Sequence, residues 1–68
     1  MDDPGTTLWS LTKNGREVAC RVRLVPYGIE IDIDRDGSTV VTRTFEAEAE
    51  ALAWAQQKRR AREAEGWI

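Results

Sequence analysis

Between Thr7 and Thr44 apolar residues recur at every second position: Trp9 and Leu11, then Val18, Cys20, Val22 and Leu24, then Ile29, Ile31 and Ile33, then Val40. A period of two sends alternate side chains to opposite faces of an extended chain, so each run predicts a strand with one buried and one wet face. Three short interruptions separate the runs. Asn14-Gly15 and Asp36-Gly37 are dipeptides favoured in two-residue hairpin loops, where both central residues take positive φ. The first sets Lys13 against Arg16, Leu11 against Val18 and Trp9 against Cys20. The second sets Arg35 against Ser38, Ile33 against Val40 and Ile31 against Thr42. At the middle interruption, Pro26-Tyr27-Gly28, both Leu24 and Ile29 belong to the apolar row. The loop between paired positions therefore holds an even number of residues, either Val25 to Gly28 or Tyr27-Gly28, because an odd loop would put the two rows on opposite faces.

After Phe45 the pattern changes to EAEAEALAWAQQKRRAREAEG, rich in alanine, glutamate and arginine and free of proline, which predicts a helix over 46–65. Thr44 is placed as its N-cap, Glu46, Glu48 and Glu50 suit the positive end of the helix dipole, and the basic residues near the far end suit the negative one. Gly66 stands where a left-handed residue closes the last turn, with Trp67 folding back toward Ala61 and Arg62. At 100° per residue Ala47, Ala51, Trp54, Ala55 and Ala61 share a stripe, flanked by Phe45 and Leu52, and Lys58 falls within it. The expected architecture is α+β: a four-stranded antiparallel meander (ββββα) over 7–45, with one C-terminal helix on its apolar face, a flexible lead at 1–6 and a tail at 66–68. The helix is expected to run antiparallel to the fourth strand, with its basic end toward the Asp36-Gly37 turn. Trp67 and Ile68 are expected to close the bottom of the core.

Sixty-eight residues make one small domain with a thin core, so a large internal cavity is not expected. No apolar run approaches the roughly 18 residues of a membrane span, and the acidic start MDDPGTT does not read as a signal peptide. A cytoplasmic location is the resulting expectation, and a single cysteine fits a reducing compartment. The chain has 12 acidic and 10 basic residues, for a net charge of −2, which argues against a global field attracting nucleic acid. It contains no histidine, and so lacks the usual general base and the commonest metal ligand.

Four features offer chemistry. Asp32-x-Asp34-x-Asp36-Gly37 resembles the opening of an EF-hand calcium loop, but the twelfth position, which must supply a bidentate carboxylate, is Arg43. The basic residues Arg21, Arg23, Lys58, Arg59, Arg60 and Arg62 are candidate nucleic-acid contacts. Alternation, however, sets Arg21 and Arg23 opposite Asp32 and Glu30 on the outer face, where opposite charges neutralise each other. Glu30, Asp32, Asp34 and Asp36 recur every ~7 Å along one strand, close to the spacing of phosphates, as in an acidic mimic of DNA. Finally, a meander leaves two open edges, and TVVTRT in the fourth strand has only Arg43 as a charged guard. Thr39, Val41 and Arg43 on that edge are candidates to pair with another chain, either a second copy in a homodimer or a partner peptide.

Cys20 points inward with no base to activate it, so no catalytic residue is assigned, nor any cofactor or metal ligand. The reading is a non-enzymatic protein–protein interaction or regulatory module acting through a sheet edge or the charged outer face. The alternatives are a nucleic-acid-binding domain using the outer-face arginines and the basic helix end, or the acidic mimic.

Overall fold

The computed structural model describes residues 5–68. Four antiparallel strands, β1 (Thr6–Lys13), β2 (Arg16–Val25), β3 (Gly28–Arg35) and β4 (Ser38–Phe45), form one sheet in the order β1-β2-β3-β4, and a single helix, α1 (Glu48–Ala64), lies across one face. This is the α+β ββββα meander that the alternation predicts. The expected lead at 1–6 lies largely outside the described residues, and Thr6 already belongs to β1.

Turn chemistry sets the register where the sequence says it should. Asn14 and Asp36 take φ of 52° and 51°, each followed by a glycine also at positive φ, so both loops have the two-residue form. Lys13 pairs with Arg16, Leu11 with Val18 and Trp9 with Cys20. At the middle turn Leu24 pairs with Ile29, the register of the Val25–Gly28 alternative, but pairing continues to Val25 with Gly28, so the loop itself is the two residues Pro26-Tyr27. Gly28 is required there: at φ 149° any added Cβ would run into the backbone carbonyl of Phe45 on β4.

Two irregularities change which residues face the helix. β1 slips by one residue between Thr7 and Trp9, and β4 slips where β3 passes from Ile33 to Asp34. Each slip falls at two adjacent apolar residues, Leu8-Trp9 and Val40-Val41, which strict alternation would split between core and solvent. A bulge lets both members face the same way. Leu8 thereby packs on the core beside Trp9, and Val40 and Val41 line one groove under the helix. Downstream of the β4 bulge Ile33 pairs with Val41 and Ile31 with Arg43, not with Val40 and Thr42 as the unbulged reading has it. Arg43 and Phe45 consequently join the helix face, while Thr42 and Thr44 move to the outer one.

The core holds Trp9, Leu11, Val18, Cys20, Ile29, Ile31 and Ile33 from the sheet with Ala51, Ala55 and Trp67. Alanines at the contact let the helix approach closely enough for the Trp9 indole N–H to donate to the Ala55 carbonyl at 3.0 Å. The predicted helical stripe holds only in its middle, since Ala47 and Ala61 at its ends are exposed. The helix begins later than expected. Glu46 and Ala47 carry the chain off the sheet, and Ala47, without a side-chain cap, occupies the position expected for Thr44.

At the far end Gly66, at φ 99°, turns the chain back so that the Trp67 N–H donates to the Arg62 carbonyl. Ile68 and Thr12 exchange both backbone hydrogen bonds, at 2.7 and 3.0 Å, and the Lys13 ammonium donates to the Glu65 carbonyl. The basic end of α1 therefore sits over β1 near Asn14-Gly15, and not at the Asp36-Gly37 turn. Trp67 closes the core, whereas the Ile68 side chain is exposed.

The helix thus starts beyond the end of β4 and finishes over β1, crossing the sheet on a diagonal. Two corners of the apolar face are left uncovered by the described residues. One lies over β1 and β2, where Leu24, though in the inward row, is 77% exposed. The other lies over β4. No helix among the described residues is long and apolar enough to cross a membrane.

Candidate functional site

On the outer face, charge is matched within the sheet. Arg21 sits opposite Asp32 in register but leans diagonally, its guanidinium gripping both carboxylate oxygens of Asp34 at 2.7 and 3.2 Å, with Asp32 at 3.6 Å. Arg23 pairs with Glu30 and lies 4.0 Å from Asp32. The Thr39 hydroxyl donates to Asp34 at 2.7 Å and the Thr42 hydroxyl to Asp32 at 2.8 Å.

Beneath this lattice Glu30 and Asp32 are only 6% exposed, so burial and full pairing go together as a buried carboxylate requires. The Arg21 guanidinium, ahead of the Thr39 hydroxyl, holds the Asp34 carboxyl below its ordinary value. The same bonds raise Arg21 and Arg23, through Asp34 and Glu30 respectively. Both arginines of this face are thus held by Glu30, Asp32 and Asp34, so a phosphate, or a basic partner seeking these acids, would have to displace an existing pair.

The calcium-like run is accounted for in the same way. Asp32 and Asp34 serve the ladder, and Asp36 in the turn accepts from the Glu17 backbone N–H at 3.0 Å. Among the described residues no group of three acidic, cysteine or histidine side chains is arranged to hold a metal ion. Cys20 is fully buried, and its thiol is pushed up to about 11, first by burial and then by the charges of Asp32 and Asp34.

On the helix face the cations have a different environment. Arg43 lies over the rings of Phe45 and Trp54, at 5.3 and 5.8 Å from their centroids, and Lys58 lies 5.2 Å from that of Trp54. These are cation–π contacts, and among the described residues neither cation makes an ion pair. Arg62 stands over the Trp67 ring at 5.8 Å and reaches Glu65 at 3.5 Å.

Between α1 and β4 runs a groove of about 130 Å³ lined by Trp9, Ile33, Val40, Val41, Trp54, Lys58 and Arg62. No carboxylate lines it among the described residues. Val40 is 55% exposed and Val41 44%, so the floor is apolar and open. Among the described residues β4 pairs only with β3, which leaves its other edge available along this groove. The opposite edge differs, because Ile68 occupies the backbone of β1 at Thr12.

Of the sequence candidates, then, Thr39 is engaged with Asp34 on the outer face, while Val41 and Arg43 stand on the groove side. Arg21 and Arg23 lie across the sheet from Lys58 and Arg62, so the six basic residues form no common surface. Arg59 pairs with Glu63 at 3.5 Å and Arg60 is exposed. Sequence reasoning placed Val40 and Trp54 on the apolar face but did not foresee the open groove they line, and missed Val41 on that side; the overlooked signal is the adjacent pair Val40-Val41, which marks the bulge. Neither a family model, nor a curated protein, nor a solved structure matches this chain.

Proposed function

We propose that this chain is a non-enzymatic interaction module that takes up an extended segment of another protein along the edge of β4. The observation carrying this reading is the coincidence of an unpaired strand edge with an apolar groove immediately inside it. An added strand supplies main-chain hydrogen bonds to the edge, while its alternate side chains drop into the groove, so affinity and selectivity come from separate parts of the ligand. The absence of histidine and the buried, high-pKa thiol of Cys20 support a non-catalytic role.

A second copy of the chain is a poorer occupant than a foreign segment. Antiparallel pairing of β4 with its own copy would gather Arg43 and Lys58 of both molecules around one seam, and like charges brought together oppose association.

The test uses short β-prone peptides titrated into the labelled protein and followed by NMR. Shifts are expected along 39–45 and at the Trp54 indole. Methylating alternate peptide nitrogens should abolish them, as should Val41→Pro in a protein that circular dichroism shows to be folded. Binding indifferent to N-methylation would sink the proposal. Sedimentation showing a dimer that Val41→Pro dissociates would replace the foreign strand with a second copy.

A further inference from the structure

We infer that the segment accepted at β4 is acidic, with an apolar side chain and a carboxylate two residues apart on the same face. This rests on the edge-pairing reading above and specifies its partner.

The argument starts from register. On the groove side of β4 the exposed residues are the bulged pair Val40 and Val41 and, two positions beyond Val41, Arg43, with Thr42 between the last two facing the other way. A strand laid beside β4 presents its own residues in the same rhythm, and directly opposed side chains interact most strongly. The position beside Val41 opens onto Trp9, Ile33 and Trp54 and so takes an aliphatic group. The position beside Arg43 faces a guanidinium whose neighbours are aromatic rings, with the Lys58 ammonium on the same Trp54 ring. A carboxylate there meets the Arg43 guanidinium beside a groove that Lys58 and Arg62 line and that, among the described residues, no acid lines. The side chain between them falls beside Thr42, which is bound to buried Asp32, so a third charge is not required.

The other apolar corner, about 390 Å³ over β1 and β2, does not compete as a selective site. Arg23 and Glu48 both line it, and one charge of each sign favours neither kind of ligand. Single-stranded nucleic acid could also use cations beside aromatic rings. Here, however, Trp54 already carries Arg43 and Lys58, and an open strand edge offers a nucleic acid nothing specific.

The probes are three threonine-rich heptapeptides with glutamate, glutamine or lysine and, two positions on, valine, the order in which an antiparallel strand meets Arg43 and then Val41. An N-methylated form of the glutamate peptide and a short oligothymidylate complete the set. At about 50 mM salt the glutamate peptide should bind roughly tenfold more tightly than the lysine peptide, with glutamine between, and the gap should narrow at about 500 mM as charges are screened. Arg43→Glu combined with Lys58→Glu should reverse the order while leaving N-methyl sensitivity intact.

Equal binding of all three peptides with N-methyl sensitivity retained would overturn the acidic preference and leave the edge reading standing. Loss of N-methyl sensitivity, or no binding by any peptide, would remove both. Preferential, steeply salt-dependent binding of the oligothymidylate would make the groove a nucleic-acid seat and overturn the inference.

Discussion

The two faces of this sheet handle positive charge in opposite ways. Outside, Arg21 and Arg23 lie over three carboxylates and two threonine hydroxyls, and the buried acids Glu30 and Asp32 are possible because those partners surround them. Inside, Arg43 and Lys58 rest on Trp54, and among the described residues no carboxylate pairs with either. The first arrangement is closed, because each group's best partner is already in the chain. The second leaves its cations able to meet an anion from elsewhere, beside apolar surface that water covers poorly. Exposed charge alone would have pointed equally at both faces; the distinction lies in what each charge already touches.

The largest expected contrast separates the covered part of the apolar row from its open corners. Ile31→Ala removes a fully buried side chain at the centre of the sheet and should cost about 2–5 kcal/mol, enough to unfold much of so small a domain. Leu24→Ala, in the same row but beyond the helix, should cost less than about 0.5 kcal/mol. Urea unfolding of both variants checks this, and similar losses would mean that the open corner is covered after all.

A smaller contrast compares the charges directly. Asp34→Ala removes the acceptor of Arg21 and Thr39 and should destabilise by about 1–2 kcal/mol, whereas Lys58→Ala should stay within about 0.5 kcal/mol. If Lys58→Ala were the more damaging, the helix-face cation would be structural and the distinction between the faces would fail.

The smallest effect is in pH. Because the Asp34 carboxyl is held below its ordinary 3.8 in the folded chain, its contribution is fully present above that unfolded value and is lost as pH falls through the lower folded one. Stability from about pH 5 down to about pH 2 should therefore fall more steeply for the natural chain than for Asp34→Asn. Parallel curves from denaturant midpoints at each pH would show that the outer ladder does not stabilise the fold.

Much of this was legible in the chain. The rows from Val18 to Leu24 and from Ile29 to Ile33 sit on the central strands, where both neighbours enforce strict alternation and one face must be buried, so period and register could be read together. The pairing of Arg21 and Arg23 with acids of β3 followed from the same counting. The edge strands were harder. With a neighbour on one side only, β1 and β4 tolerate an extra residue, and the bulges at Leu8-Trp9 and Val40-Val41 convert a two-residue apolar run into two inward side chains. One unread bulge was enough to place Val41 and Arg43 on the wrong face, and with them the groove.

What the sequence determined by itself was local: strands from a period of two, turns from residues that accept positive φ, a helix from propensity and its end from Gly66. Each depends on interactions among residues a few positions apart, which a linear pattern records. The tertiary structure decided the diagonal of the helix, because that angle is set by Ala51 and Ala55 settling against the sheet and by Ile68 pairing with Thr12, contacts between residues far apart in the chain. The diagonal in turn decided which apolar residues stayed uncovered, and so where the groove beside β4 lies. Burial beneath a crossing helix depends on the relative orientation of whole elements, a quantity that no spacing along the chain encodes.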